Sequence, residues 1–300
     1  MRSRLVITLR ERDGRFAPDL ILPQPLTTEA MLLGLTPDHA VEMLGRLFNL
    51  CRHAQEAAAR LALGLPAMEG APCRNEILRD SVFRLFMALP AAMGQAAVPL
   101  PKGWQAEPAV LAPAMFGPTG RLPQTARAFQ AWLKGGAGMA PVVAAVADQF
   151  APGEAASRSL PFASEKAEPC ENSATMRHAD HPVMDAIERD TGRNPLWRTV
   201  ARLLDIEACL DKRLPSPQLI APGLAEAHAT RGLYRIGLRV TGGRVSAVNR
   251  RTPTDDICHP DGPLLSALAA LPVSKRHLAP LVVECFDPCL PWHVREKQDA

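Results

Sequence analysis

A chain of 300 residues, 47% hydrophobic and 22% charged, has the composition of an ordinary globular protein, long enough for one sizeable core or two small ones. Its formal charge of +3, with Lys and Arg mixed evenly among Asp and Glu, leaves no electrostatic footprint for nucleic acid. No apolar run approaches the ~18 residues that span a bilayer, and the N-terminal apolar stretch is too short for a secretory signal. A cytoplasmic protein without membrane insertion is expected.

The 29 prolines and single tyrosine predict interrupted helices with few aromatic anchors. The seven cysteines, at 51, 73, 170, 209, 258, 285 and 289, are odd in number and include no CxxC pair. That excludes a zinc ribbon or a thioredoxin-like motif and favours free thiols in a reducing compartment.

In chain order, alternating apolar residues on both sides of Asp13-Gly14 predict a hairpin. From Thr36-Pro37-Asp38 a 3.6-residue apolar period runs to about residue 65 and predicts one long helix, with Cys51 on or beside its buried face. Helical patterns recur around 75–89 and 124–133. Residues 151–180, rich in Ser, Ala, Glu and Pro and without periodicity, read as a mobile linker or extended surface loop. A helix is expected at 195–214, a second hairpin around Thr241-Gly242-Gly243, and a short strand at LAPLVVECF, 278–286.

The fold class is therefore α+β: a mainly helical core with a small antiparallel sheet formed by the N- and C-terminal strands. Residues 1–150 carry Cys51 and residues 181–300 carry Cys289. The two regions are expected to pack as one domain and to bring these cysteines together.

The closing segment FDPCLPWHV resembles the DPCxxCxxH sequence of nickel–iron hydrogenase large subunits. Asp287, Pro288 and Cys289 match, whereas Trp292 and Arg295 replace the second cysteine and the histidine. RLFNLCRHAQ is similar to the family's RxCGxCxxxH segment through Arg46 and Cys51, with Phe48 at the first cysteine and Gln55 at the histidine. ATRG, with Arg231 and Gly232, looks like its APRG turn, and RRTPTDDICHPDGP, with Pro253 and Thr254, looks like its PT loop. The glutamate that precedes the family's first strand is missing, with Ser3 and Arg4 in that region. Residues 65–220 match nothing in a catalytic subunit. Shortening combined with one lost thiol from each pair resembles the HupK-type hydrogenase expression and formation proteins.

The resemblance implies a maturation scaffold or chaperone and no enzyme. Two thiolates, Cys51 and Cys289, cannot build a four-thiolate nickel site but can hold one iron that already carries cyanide and carbon monoxide. It further implies that Arg231 and Thr254, in the turn with Pro253, donate hydrogen bonds to cyanide, with Asp287 beside them. HypC-type and HypD-type maturation proteins and the hydrogenase large subunit precursor are the implied partners. Alternatives stay open: core packing for Cys51, a salt bridge for Arg231, a turn hydroxyl for Thr254, and a metal-free chaperone that mimics the large subunit. Cys258 and Cys285 are further thiol candidates, more often small buried hydrophobes in such settings. His53, His259 and His293 lie in the same motifs.

The family's subunits are cleaved after the terminal histidine, which Arg295 replaces here. No processing is expected, and intact-mass measurement should find a chain ending at residue 300; one ending at 295 would contradict this.

Overall fold

Asp13 and Gly14 both adopt left-handed backbone, with φ of +50° and +71°. The turn they make joins β1 (Leu5–Arg12) to β2 (Arg15–Ile21) in an antiparallel pair. This is seen in a computed structural model that describes residues 4–23, 28–68, 71–164 and 168–297. Ser3, residues 165–167 of the expected linker and the last three residues lie outside it. Leu5, Ile7 and Leu9 point to one face by the period of two and are buried there.

The other neighbour of β1 is β7 (Trp292–Lys297), and the two run parallel, Leu5 opposite Trp292 and Leu9 opposite Glu296. The expected terminal sheet thus exists, but it is mixed. The second hairpin stands in a separate antiparallel sheet of β3 (Gln218–Ala221), β4 (Leu224–Ala229), β5 (Gly232–Thr241) and β6 (Arg244–Arg251), in that order.

Two apolar cores result. The smaller lies between this second sheet and the helices Pro37–Leu47 and Arg52–Ala62. Ala54, Ala58, Ala59 and Ala62 face Ala225, Ala227 and Ala229, and such small side chains let helix and sheet approach closely. The larger surrounds the helix Pro195–Leu210, buried along all but its last residue.

Three further expectations are corrected. The helix read as continuous from 37 to about 65 breaks at Phe48, which turns extended, and restarts at Arg52 after a left-handed Cys51. The apolar period stays in phase across the break, so periodicity could not reveal it. The stretch 278–286 is a helix, Ala279–Phe286, not a strand. Six consecutive residues, Leu281–Phe286, are buried, and a fully buried helix has the same unbroken apolar run as a buried strand. Finally, part of 151–180 is neither linker nor surface loop: residues 151–164 are mostly exposed or half-buried, but Cys170 through Thr175 are buried. Their polar groups are the reason. Glu171 takes a bidentate pair from Arg198 (2.9 and 2.7 Å), and Asn172 binds both backbone groups of Leu233.

This strap crosses β5 at Gly232, whose φ of +146° is glycine territory. A Cβ there would lie 2.8 Å from the Asn172 carbonyl oxygen and 2.9 Å from its carbon. Gly232→Ala should therefore destabilise the fold by about 2–4 kcal/mol, combining backbone strain and overpacking. Urea unfolding measures it, and a loss under about 1 kcal/mol would count against the strap.

Candidate site around Arg231

The ATRG turn ends β4 and starts β5, which places Arg231 between the two cores with only 3% of its surface exposed. Its Nη1 donates to Cys51 Sγ at 3.3 Å, its Nε to the Asp287 carbonyl at 3.0 Å, and its Nη2 to Asp287 Oδ1 at 3.1 Å. One guanidinium thus joins the helix break near the N-terminus to the DPC segment near the C-terminus. Burial alone would lower the Arg231 pKa, but Asp287 and Cys51 hold it above its ordinary value.

Cys51 and Asp287 share an unusual backbone. Both are left-handed, with φ of +55° and +52°, and each stands at a helix end, Cys51 before Arg52 and Asp287 after Phe286. Non-glycine residues held there cost about 1–3 kcal/mol each, a strain that concentrates at sites where side chains must be aimed. Gln55 braces the first bend by donating to the Leu50 carbonyl (3.3 Å).

Thr254 sits in the short helix Pro253–Ile257, whose start is secured by a reciprocal cap between Thr252 and Asp255. Pro253 occupies the first helical position, where its missing N–H costs nothing. The Thr254 hydroxyl donates to Cys289 Sγ and accepts from the Cys289 N–H, both at 3.0 Å. Cys289 is two residues beyond Asp287, so the contacts of Arg231 and those of Thr254 meet on one short segment. The structure thus gathers Cys51, Arg231, Pro253, Thr254, Asp287 and Cys289 at one place.

Burial pushes the Cys51 thiol up to about 11, Arg231 lowering it only in part. It also raises Cys289, against the opposing Thr254 hydrogen bond. Both sulfurs are therefore thiols at neutral pH. Burial likewise pushes the Cys258 thiol up to about 12. Cys285 is buried in the larger core beside Thr199. The histidines are engaged elsewhere: His53 with Glu56, His259 with the Asp261 N–H, and His293 on β7 with its surface exposed.

The positions where the family carries its other ligands are reused. Arg250 stacks over the Phe48 ring, 4.7 Å from its centroid, and donates to Gln55 Oε1 at 3.3 Å. Trp292 pairs opposite Leu5, and Arg295 donates to Thr8 Oγ1 at 3.0 Å.

Sequence reading missed two arginines. Asp287 is fully buried and is gripped by Arg84 and Arg202 as well as by Arg231. Arg84 opens a π-helical turn, Arg84–Ala88, that continues the helix Ala71–Phe83, and it also pairs with Glu284. Arg202 reaches Asp287 Oδ2 at 3.0 Å, while its Nη1 is buried without a partner among the described residues. Burial lowers the Arg202 pKa, only partly offset by Asp287. A signal existed: Arg198, Arg202 and Asp205 recur at i, i+4 and i+7 along a largely apolar helix, marking a polar seam whose partners lie elsewhere in the chain.

No family model matches the chain. A curated relative, the hydrogenase expression/formation protein HupK of Rhodobacter capsulatus, is 42% identical over 301 residues, with both chains covered in full. The chain belongs to the HupK family of hydrogenase expression/formation proteins. Among solved structures, the reduced Ni-Fe-Se hydrogenase of D. vulgaris Hildenborough superposes with a TM-score of 0.57 at 14% identity, covering 93% of this chain and 94% of that one. The reduced, active Ni-Fe-Se hydrogenase of Desulfomicrobium baculatum gives 0.54 at 14% identity, covering 94% and 95%. This HupK-family chain therefore has the hydrogenase-like α+β fold that its motifs implied.

Replacing Asp287 by alanine would leave three guanidiniums around one buried position without their shared anion. Breaking a buried ion pair from one side costs about 3–5 kcal/mol. Asp287→Ala should lose that much in equilibrium denaturation, and a loss near 1 kcal/mol would show that the cluster is open to water.

Proposed function

We propose that this protein is a non-catalytic, cytoplasmic scaffold in nickel–iron hydrogenase maturation, which takes up the iron–cyanide–carbonyl fragment at Cys51 and Cys289 and passes it toward the apo large subunit. The observation that carries the reading is the pairing of each thiol with its own donor, Cys51 with Arg231 and Cys289 with Thr254. Membership of a family named for hydrogenase expression and formation supports the maturation role. No helix among the described residues is long and apolar enough to cross a membrane.

The donor set suits iron cargo and not nickel. Soft thiolates bind either metal, but Phe48 and Trp292 stand where two further thiols would be needed. An iron whose other positions are filled by diatomic ligands needs few protein ligands. Cyanide nitrogens accept hydrogen bonds, and Arg231 and Thr254 are donors that already meet the two thiols.

The raised thiol pKa values bear on the temporary nature of the load. A metal takes thiolates, so each sulfur must give up a proton that burial makes it keep. That cost weakens the hold on iron relative to a site of preformed thiolates, which suits a cargo that has to leave. HypC-type and HypD-type proteins on the donor side and the large subunit precursor on the acceptor side are the partners this exchange requires.

Protein isolated with its maturation partners should show nitrile and carbonyl infrared bands that disappear in Cys51→Ser and in Cys289→Ser. Bands unchanged in both variants would sink the iron reading. Normal hydrogenase maturation by both variants would instead favour a metal-free chaperone acting by shape alone.

A further inference from the structure

Asn172 is 2% exposed, and its amide makes three hydrogen bonds to two different elements. Its Oδ1 accepts from the Leu233 N–H at 2.7 Å, and its Nδ2 donates to the Leu233 carbonyl at 3.0 Å. The same Nδ2 donates to Asp256 Oδ2 at 2.7 Å. Leu233 is two residues beyond Arg231, and Asp256 is two residues beyond Thr254, in the helix Pro253–Ile257. A single side chain thus grips the backbone just after one donor and the helix that carries the other.

We propose that Asn172 is a positioning residue that sets the Arg231 guanidinium and the Thr254 hydroxyl in register across the two thiols. In purpose this rests on the cargo reading above, but its test does not. Among short side chains only asparagine fits, because the site asks for one acceptor facing an N–H and a donor shared between a carbonyl and a carboxylate. Aspartate has the shape but only acceptors, and would face Asp256 with like charge. Gly232 is the matching condition on the other side, since any Cβ there would run into the Asn172 backbone. Arg251 completes the frame by donating to Asp256 Oδ1 at 2.8 Å, which leaves Oδ2 for the amide.

The role separates from ordinary packing through the protection of one amide. The Cys289 N–H donates to the Thr254 hydroxyl at 3.0 Å. If Asn172 holds Thr254 in place, its loss withdraws that acceptor and the Cys289 amide exchanges its hydrogen faster. If Asn172 only supports packing, its loss affects the Cys289 amide no more than the amides of β1.

The experiment is amide hydrogen exchange of the full-length protein at fixed pH, with the Cys289 amide followed by fragment mass spectrometry and compared with the amides of β1. Thr254→Val defines the effect of losing the hydroxyl. Asn172→Ala and Asn172→Asp should speed exchange at Cys289 relative to β1, by up to roughly tenfold, the size that loss of one hydrogen bond allows. Combined with Thr254→Val they should add nothing further, since both act through one contact. Glu171→Gln, in the same strap but paired with Arg198, should not speed it relative to β1. An unchanged or slower relative rate in the Asn172 variants, the same relative speeding in Glu171→Gln, or no effect of Thr254→Val would each overturn the proposal. Asn172→Asp keeps the side-chain shape and decides the matter if the alanine variant does not fold. None of these rates involves iron. Failure of the nitrile-band test with the expected rates would remove the cargo and leave the positioning role, and the reverse outcome would do the opposite.

Discussion

The buried ion cluster of Arg231 and Asp287 is the constraint on which the rest of the arrangement depends. A guanidinium taken out of water is tolerable only when its donors are met, and those of Arg231 are met by a thiol from one end of the chain and a carboxylate and carbonyl from the other. The two apolar cores meet at this point, so neither can shift without leaving charge unpaired. Arg84 and Arg202 tighten the condition by converging on the same carboxylate from two more helices. Replacing such a cluster by apolar residues would be compatible with stability in general. Its presence here fixes which surfaces face each other, and therefore where the two thiols stand.

Much of the site was legible in the sequence because its parts are short and local. A hairpin at Asp13-Gly14, a turn at ATRG, the PT loop at Pro253-Thr254 and the DPC segment each declare themselves within a few residues. The joints between them were not legible. The apolar period passes undisturbed through the break before Cys51, and the buried helix Ala279–Phe286 has a strand-like run. The segment 151–180 looked like a linker because its composition is polar. Those polar residues are ordered by distant partners, Glu171 by Arg198 and Asn172 by Leu233 and Asp256, and no local pattern encodes such pairs.

The four positions that depart from the hydrogenase pattern have not been left as gaps. Phe48 is a platform for Arg250, Gln55 links Arg250 to the bend before Cys51, and Trp292 and Arg295 belong to a strand with β1 as its neighbour. Each change is supported by a neighbour. Restoring any single cysteine or histidine would therefore remove a structural contact before it supplied a ligand, because residues that share partners do not act independently.

The parallel pairing of β1 with β7 has a consequence in time. The strand that follows Cys289 has as its neighbour a strand made long before it, Leu5 opposite Trp292. Contacts of such long separation form late. During synthesis Cys51 and Arg231 emerge well before Asp287, and until Asp287 follows them the guanidinium lacks its buried counter-ion. A nascent chain is thus unable to close the Arg231–Asp287 cluster, and with it the joint between the two cores, before Asp287 and the strand after it have been made.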